Sequence, residues 1–271
     1  MDRSTAMRLT LPWIRRKTPP EAPVPTTLHI THAKAGSSWI DAILRKLFGQ
    51  RVAPRGKLAA AEVGGDLSKF VFTPGRIYSA MFMTHEQVEA HPELAGVQRF
   101  IVVRDLRDTL VSLYFSLKVS HPLEADGRTA SEREILQSLD TESGLLHLIR
   151  GQLRGAAALQ RSWLGRDEIL LRYEDLLFSA EETLRPLLLD RFQLPATEAS
   201  LRTVLAKCSF EAKFQRKLGE EDVHSHGRQG APGDWRRHFT PKVTEEFARE
   251  FGDLLIGYRY EKDASWAQAL P

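Results

Sequence analysis

The sequence predicts an α/β fold, a single three-layer domain in which helices cover both faces of a central parallel sheet. Short apolar runs, typical of strands buried inside a parallel sheet, alternate with longer segments that carry one apolar face. Such alternation favours strand–helix–strand units. Glycine-rich or charged sequences follow several of the apolar runs. These sequences would lie at the edge where open α/β sheets bind their ligands.

Four runs are predicted as strands because they are short, apolar and β-prone. Segments with apolar residues at helical spacing are predicted as helices, and the first carries Ile40, Ile43 and Leu44 on one face. A stretch rich in glycine and polar residues, 50–76, interrupts the alternation. The predicted strands are 28–31, 77–83, 99–103 and 169–172, and the predicted helices are 37–48, 107–118, 142–163, 174–192 and 242–256.

Length and composition exclude several classes of protein. The 271 residues, 42% hydrophobic and 27% charged, can bury a full core, which excludes extended disorder. No apolar run approaches the ~18 residues of a membrane span, so we expect no stable membrane insertion. The single cysteine, Cys208, excludes a disulfide framework and cysteine-rich zinc sites. It fits a reducing compartment, and we therefore expect a cytoplasmic location.

The charge balance indicates one concentrated anion site. Lys plus Arg number 38 and Asp plus Glu 35, which gives a net charge of +3 and a pI near 9.0. This surplus is small for a protein that coats nucleic acid, and no lysine-rich block is present, so no nucleic-acid partner is expected. A localised positive site agrees with a small net surplus.

The first 25 residues are predicted to be a flexible, proline-rich tail, and 26–271 form the predicted domain. Pro19, Pro20, Pro23 and Pro25 favour an extended linker. Basic residues follow the short apolar stretch of the tail, whereas a secretory signal places them before it. The alternative is a weak membrane-surface contact through Leu9, Leu11, Trp13 and Ile14.

A predicted anion site lies between the first strand and the first helix. Lys34, Gly36, Ser37 and Ser38 occupy a turn that opens directly into the helix. The free N–H groups and dipole of a helix start favour an anion, and the lysine and hydroxyls add donors. The alternative is a capped helix with a surface lysine. Lys34 precedes Gly36, whereas in the usual nucleotide loop the lysine follows the last glycine.

A second cluster follows the strand 99–103. Arg104 stands at the carboxyl end of the predicted sheet, and Ser112 follows eight residues later, about two helical turns on. An arginine fork with a hydroxyl suits a terminal phosphate. The alternative is a salt-bridge cluster at the helix start with Asp105 and Asp108, which would account for Arg107 in particular.

The third cluster is the loop of residues 228–235, which contains Gly230, Pro232 and Gly233. Arg228 and the amide of Gly230 are predicted to bind the same anion that Arg104 and Ser112 bind. The alternative is an ordinary turn ahead of the last predicted helix.

Together the three clusters resemble the signatures of the PAPS-dependent sulfotransferases, which transfer a sulfonyl group from 3′-phosphoadenosine 5′-phosphosulfate (PAPS). Residues 31–39 are similar to YPKSGTTW, with His32 and Ala33 in place of Tyr-Pro. The second signature is an Arg followed eight residues later by Ser, and residues 228–235 resemble RKGxxGDW. Thr84-His85, Tyr173-Glu174-Asp175-Leu176 and Ser209-Phe210 resemble, in order, the KTH, YED and SF elements of the family. The resemblance covers roughly 27–260 and implies a fold similar to that of phosphate-loop nucleotide hydrolases.

The resemblance implies how the chain would hold this donor. Lys34 and the turn after it would bind the 5′-phosphosulfate, and Trp39 and Phe210 would stack on the adenine. Arg104 and Arg228, with a hydroxyl and an amide from the same clusters, would bind the 3′-phosphate that distinguishes PAPS from ATP. The predicted donor-binding residues are Lys34, Ala35, Gly36, Ser37, Ser38, Trp39, Arg104, Ser112, Tyr173, Cys208, Phe210, Arg228, Gln229 and Gly230.

His85 and Lys34 are the predicted catalytic residues. His85 follows the predicted strand 77–83, at the ligand edge of the sheet. Histidine has an ordinary pKa of about 6.5, which suits a general base. His85 would take the proton of an acceptor hydroxyl as that oxygen attacks sulfur in line, and Lys34 would stabilise the leaving phosphate. The alternative is a structural histidine. No metal is required by this chemistry.

Besides His32 and Ala33, four more residues depart from the family pattern. Met83 stands where the family often has lysine, Gln229 replaces a lysine, and Cys208 replaces a threonine. Pro241 falls within the dimer motif of the family and cannot donate a backbone hydrogen bond, so no oligomeric state is predicted.

Three functions remain open. The leading hypothesis is metal-independent sulfonyl transfer to a hydroxyl or amine of a small-molecule acceptor. A nucleotide kinase-like phosphotransferase is the first alternative, against which the position of Lys34 counts. A catalytically silent protein that binds adenosine 3′,5′-bisphosphate is the second, and Met83 and Gln229 favour it. Segments 50–76, 119–145 and 211–227 are predicted to form loops over the acceptor cleft.

Overall fold

The computed structural model describes residues 24–53, 69–123 and 127–268. These residues form one sheet with the spatial order β2-β1-β3-β4, and each neighbouring pair of strands is parallel. The predicted α/β class is therefore confirmed, and each predicted strand is present within two residues of its expected ends. The strands are β1 (Thr27–Thr31), β2 (Ile77–Met81), β3 (Gln98–Val103) and β4 (Ile169–Arg172).

The strand order places a crevice beyond the end of β1. From β1 the chain passes to β2 on one side, and then returns to β3 on the other side. Ligands of open α/β sheets bind where the order reverses in this way, outside the carboxyl ends of the strands. The two strands at this point are tied together, since the hydroxyl of Thr31 donates to the carbonyl of Val102 at 3.0 Å.

The helices of the described residues follow the predicted alternation with several differences. The predicted helix 37–48 is confirmed without change. The α-helices are α1 (Ser37–Phe48), α2 (His85–Glu89), α3 (Leu106–Phe115), α4 (Arg128–Ser138), α5 (Thr141–Arg150), α6 (Leu153–Trp163), α7 (Tyr173–Phe178), α8 (Ala180–Arg185), α9 (Glu198–Cys208), α10 (Phe210–Phe214) and α11 (Pro241–Gly257).

Two long predicted helices are each divided into shorter segments in the structure. The predicted helix 142–163 is two helices, because the backbone of Gly151 leaves the helical region at φ −114° and ψ −107° and ends α5. The predicted helix 174–192 is divided into α7, α8 and a π-helical segment, Pro186–Arg191. Another π-helical segment, Ser116–Ser120, follows α3. The segment 119–145, predicted as a loop, contains α4 and the start of α5.

Apolar side chains alternate between the two faces of the sheet, as strands buried on both faces require. Leu28 and Ile30 of β1 lie in a cluster with α3, α5, α6 and α11. Phe100 and Val102 of β3 lie in a second cluster with α1, α7, α8 and α9 on the opposite face. The sheet is thus covered on both faces, which is the predicted three-layer arrangement.

Two predicted segments fall largely outside the described residues. The proline-rich tail, 1–25, includes only Val24 and Pro25 of the described chain, and Val24 is buried in the cluster around α1. The excursion 50–76 is described at its two ends, up to residue 53 and from residue 69. Across the described ranges, no helix combines the length and the apolar character needed to cross a bilayer.

Candidate active site

The turn after β1 presents the start of α1 to the crevice. Lys34 and Gly36 both have left-handed backbone, with φ +68° and +79°, and α1 begins at the next residue, Ser37. The first N–H groups of a helix lack intrahelical acceptors, so this turn offers them to an anion. Ala35 is buried, whereas Lys34, Ser37, Ser38 and Trp39 are half-buried at the edge of the crevice.

Arg104, the first residue after β3, reaches across to this turn. Its Nη1 donates to the carbonyl oxygen of Lys34 at 2.9 Å. Its guanidinium lies 4.8 Å from the ring centre of Tyr173. The buried Nε of Arg104 has no hydrogen-bond partner among the described residues. Arg104 therefore links the turn of Lys34 with the residue Tyr173 after β4.

The loop of residues 228–235 brings a second arginine to the crevice. The terminal nitrogens of Arg228 donate to the carboxylates of Glu221 and Asp234. The guanidinium also lies 4.3 Å from the ring centre of Phe115 on α3. Its Nε is buried and, within the residues the structure describes, unpartnered. Ser112 lies one helical turn before Phe115, on the same side of α3.

Asp108 attaches this loop to α3. Its carboxylate accepts from the backbone N–H groups of Gly233 at 2.6 Å and of Trp235 at 3.0 Å. Burial raises the pKa of Asp108, and the positive charge of Arg104 opposes this rise. The sequence assigned Asp108 to a possible salt-bridge cluster with Arg107. Arg107 instead pairs with Asp105 at 2.7 Å and with Glu261 at 2.5 Å, so its structural role agrees with the alternative stated above.

Three basic side chains, those of Lys34, Arg104 and Arg228, lie close enough to one another for their charges to interact. Burial, together with repulsion from Arg104 and then from Arg228, lowers the pKa of Lys34 from 10.5 to about 8. Lys34, Arg104 and Arg228 come from three different loops, so the fold itself assembles this positive site. Such a site attracts an anion with more than one charge.

Aromatic rings border the positive site. The rings of Trp39 and Tyr173 meet edge to face, with their centres 6.1 Å apart. The hydroxyl of Tyr173 donates to the carbonyl of Gly230 at 3.4 Å. Phe210 lies so close to Gly230 that a Cβ on this glycine would stand 2.6 Å from the phenyl ring. The glycine, with φ +75°, thus permits the contact between α10 and the loop of residues 228–235.

Gln229 and Cys208 were also predicted to bind the donor. The Gln229 amide nitrogen, turned toward Asp234, donates to its two carboxylate oxygens at 2.7 and 3.0 Å. Cys208 is buried in the cluster around α1, where burial raises the pKa of its thiol. Direct donor contacts of these two residues stay predictions.

His85 begins α2 directly after the loop that follows β2. Thr84 caps this helix, and the backbone N–H of His85 donates to the hydroxyl of Ser162 at 3.0 Å. The imidazole lies edge to face on the ring of Trp163, 5.1 Å from centre to centre, and is half-buried. Met83 is fully buried in the core, so its thioether replaces the lysine of the family pattern with an apolar contact.

Arg216 contributes to the site although the sequence did not indicate it. Its guanidinium donates to the carbonyl oxygens of Glu220, Gly227 and Arg228 at 2.5, 2.7 and 2.9 Å. It also lies 5.4 Å from the ring centre of Phe210. Arg216 therefore folds the loop that carries Arg228. Within the described chain, no group of three or more histidine, cysteine or acidic side chains is placed to hold a metal ion.

The fold and these loops define an α/β protein with a positively charged crevice at the switch point of a parallel sheet. The chain belongs to the sulfotransferase family, since the family model of the sulfotransferase domain matches residues 25–259. The predicted family is thereby confirmed.

Curated relatives agree with this assignment. Sulfotransferase 2A6 of Mus musculus is 25% identical over an alignment of 173 positions, and the match covers 58% of this chain and 56% of the relative. The chain thus spans little more than half of that protein. A 3-alpha-hydroxysteroid sulfotransferase of Cavia porcellus is 24% identical over an alignment of 259 positions, and the match covers 86% of this chain and 84% of the relative.

Solved structures share the fold. Mouse sulfotransferase SULT7A1, crystallised in complex with PAP, has a TM-score of 0.63 and 16% identity, covering 88% of this chain and 87% of its own. Retinol dehydratase in a complex with retinol and PAP has a TM-score of 0.51 and 14% identity, covering 85% of this chain and 81% of its own. These likenesses show a common architecture.

Proposed function

We propose that the protein transfers a sulfonyl group from PAPS to a hydroxyl or amine of a small-molecule acceptor. The observation that carries the proposal is the convergence of Lys34, Arg104 and Arg228 beyond the ends of β1 and β3. Both guanidinium groups bury an Nε that lacks an acceptor within the described residues. Burial of an unpaired donor is unfavourable, so these atoms fit a site that takes its acceptors from an anionic ligand.

The two anionic ends of PAPS would have separate anchors. Lys34 and the N–H groups at the start of α1, with the hydroxyls of Ser37 and Ser38, would bind the 5′-phosphosulfate. Arg104 and Arg228 would bind the 3′-phosphate, because a guanidinium fork matches the oxygens of a phosphate. The remaining predicted contacts to the 3′-phosphate are the hydroxyl of Ser112 and the amide of Gly230.

The adenine would lie between the aromatic side chains of Trp39 and Phe210. Trp39 lies in the first turn of α1, directly after the turn of Lys34, and Phe210 begins α10 and packs against Gly230. Tyr173 contacts the backbone of Gly230. Stacking on aromatic rings binds a base through its π-face. Support also comes from the solved relative SULT7A1, whose crystals contain PAP, adenosine 3′,5′-bisphosphate.

His85 is the proposed general base. PAPS supplies a sulfonyl group joined to phosphate through an S–O bond. His85 would accept the proton of the acceptor hydroxyl as its oxygen bonds to sulfur and the S–O bond to phosphate breaks. Lys34 would stabilise the charge that the leaving phosphate gains. The position of His85 after β2, at the same sheet edge as Lys34, supports this division of roles.

The acceptor is proposed to be a small hydroxylated molecule. One relative is named as a 3-alpha-hydroxysteroid sulfotransferase, which places sterols first among the compounds to be tested, followed by phenols, sugars and amines. A cytoplasmic location and a reaction without a metal ion remain part of the proposal. The oligomeric state is not part of it.

Nucleotide binding tests the donor. We expect adenosine 3′,5′-bisphosphate to raise the Tm of the protein strongly and ATP with Mg²⁺ to raise it little, because the 3′-phosphate engages two arginines. Arg228→Met should abolish this preference. Arg202→Met, an exposed arginine paired with Glu181 on the surface, is the matched control. A larger shift with ATP and Mg²⁺ would reject the proposed donor.

Labelled PAPS and an acceptor panel then separate an enzyme from a silent binder. His85→Ala should reduce transfer by about 10²-fold or more, as expected for a lost general base, and should leave bisphosphate binding nearly unchanged. His147→Ala, which removes a histidine of α5 that pairs with Glu132 of α4, is the control. Full activity of His85→Ala would exclude His85 as the base, and binding without transfer to any acceptor would favour the silent protein.

A further inference from the structure

The last turn of α6 contacts the ends of three strands. Gln160 contacts the residues after β1 and β3, and its neighbours Ser162 and Trp163 contact the residues after β2. The hydroxyl of Ser162 accepts from the backbone N–H of His85 at 3.0 Å, and the indole N–H of Trp163 donates to the carbonyl of Met83 at 2.9 Å. The loops of the candidate active site are therefore fastened to one helix that carries none of the predicted site residues.

Gln160 adds a side-chain bridge between the two loops, which Arg104 already links through the carbonyl of Lys34. Its amide nitrogen lies 2.9 Å from Nε2 of His32 in the turn after β1. The same nitrogen donates to the carbonyl oxygen of Arg104 at 2.8 Å. Gln160 is 1% exposed, so both bonds form away from water. The two hydrogens of one NH₂ group thus connect the loop of Lys34 with the loop of Arg104.

The surroundings of His32 determine which of its nitrogens accepts. Nδ1 lies 2.9 Å from the carbonyl oxygen of Ala33 and therefore carries the proton. Nε2 is then the acceptor for the amide of Gln160 and, at 3.3 Å, for the backbone N–H of Arg104. A neutral imidazole satisfies all three bonds, and burial favours this form by lowering the pKa of His32 to about 4.

The backbone at Gln160 is itself held in place. The hydroxyl of Tyr258, at the end of α11, donates to the carbonyl oxygen of Gln160 at 2.7 Å. His32 stands where the family signature has a tyrosine. Because Nε2 of a neutral histidine accepts a hydrogen bond, it needs a donor as its partner, and the amide of Gln160 supplies one. The His32–Gln160 pair is therefore a solution that this chain uses to set the distance between its two loops.

We propose that Gln160, acting through His32 and the carbonyl of Arg104, is a positioning residue for the sulfonyl donor. It fixes the turn of Lys34 and the guanidinium of Arg104 at the separation that the two anionic ends of one ligand require. The inference rests on the proposed donor, and it assigns to α6 a role in donor affinity rather than in the transfer step itself.

The test uses variants that keep the volume of the side chain. Gln160→Met removes both N–H donors, and Gln160→Glu keeps the shape but replaces the NH₂ group by an acceptor. Gln152→Met, an exposed glutamine at the start of α6, is the matched control. We expect Kd for adenosine 3′,5′-bisphosphate, measured by calorimetry on the folded full chain, to rise about tenfold in both Gln160 variants and to stay unchanged in the control.

Further measurements separate positioning from general destabilisation. KM for PAPS should rise with Kd, whereas KM for the acceptor and kcat should change by less than about twofold, because the contacts of Gln160 are to the donor loops. Wild-type Kd in both Gln160 variants would overturn the inference and leave the proposed function intact. Failure of the wild-type protein to bind the bisphosphate would overturn both. If Gln160→Met does not fold, Gln160→Glu, which has the native shape, decides.

Discussion

The ring of Tyr173 lies directly against the backbone of Gly36. A Cβ placed on Gly36 would stand 2.7 Å from Cδ2 of Tyr173, closer than carbon atoms approach one another. The aromatic ring therefore covers the turn of Lys34 from the side of α7 and prevents it from opening outward. A side chain at Gly36 must displace either the ring or the turn.

Gly36→Ala should weaken binding of adenosine 3′,5′-bisphosphate by more than about tenfold, because it moves the turn and also places alanine at φ +79°. Gly96→Ala is the control: Gly96 has φ +70°, and the space around its Cβ is open. Both variants should lose about 1–2 kcal/mol of unfolding free energy from the left-handed backbone. Equal Kd values for the two variants would contradict the role of the Tyr173 contact.

Donor binding should take up a proton at alkaline pH. The pKa of Lys34 in the free protein is about 8, below its ordinary 10.5, and a bound anion raises it again. Below pH 8 the ammonium is already protonated, so affinity is insensitive to this group. Above pH 8 the affinity should fall by up to about tenfold per pH unit.

Calorimetry in buffers of different ionisation enthalpy measures this proton uptake directly. Lys34→Arg should bind without uptake between pH 8 and 10, because an arginine stays protonated there. Lys207→Met, an exposed lysine of α9, should behave as wild type. Uptake that persists in Lys34→Arg would assign the proton to another group.

Arg216→Lys should weaken bisphosphate binding by about tenfold while the fold is kept. A lysine cannot donate to three carbonyl oxygens in the fixed geometry of a guanidinium, so the loop of Arg228 loses its internal support. The measurement is Kd by calorimetry together with Tm of the free protein. A Kd equal to that of wild type would show that the loop keeps its position without the hydrogen bonds of Arg216.

Arg107→Met should lower the unfolding free energy by about 3–5 kcal/mol, because it leaves two carboxylates without their buried partner. The Arg107 side chain is 2% exposed and its guanidinium lies between the rings of Trp235 and Trp266. Arg161→Met, which removes an exposed pair with Asp253, should cost at most about 1 kcal/mol. Urea unfolding of the two variants measures the difference, and equal losses would contradict the structural role of Arg107.

Features that are determined by the local sequence could be predicted from it. The strands were predicted within two residues because short apolar runs bounded by polar residues have few alternatives. The helix α1 was predicted without error because Gly36 marks its start. Its periodicity did not reveal the break at Gly151, since apolar spacing continues on both sides of this glycine.

Features that depend on contacts between distant segments could not be predicted. Gln160 meets His32 only because α6 crosses the end of β1, 128 residues away in the chain. Asp108 holds the backbone of Gly233 and Trp235 across a comparable separation. The residues next to Gln160 and Asp108 in the sequence do not show whether these side chains contact solvent or another loop. The contacts of both residues could therefore be seen only in the structure.

Three neighbouring cations also determine how the protein responds to the solution around it. We expect Lys34, Arg104 and Arg228 to attract small doubly charged ions as well as the proposed nucleotide, because the attraction depends on charge before it depends on shape. Inorganic phosphate and sulfate should therefore compete for the same place. Buffers that contain these ions should weaken nucleotide binding, and exchange into chloride salts should restore it.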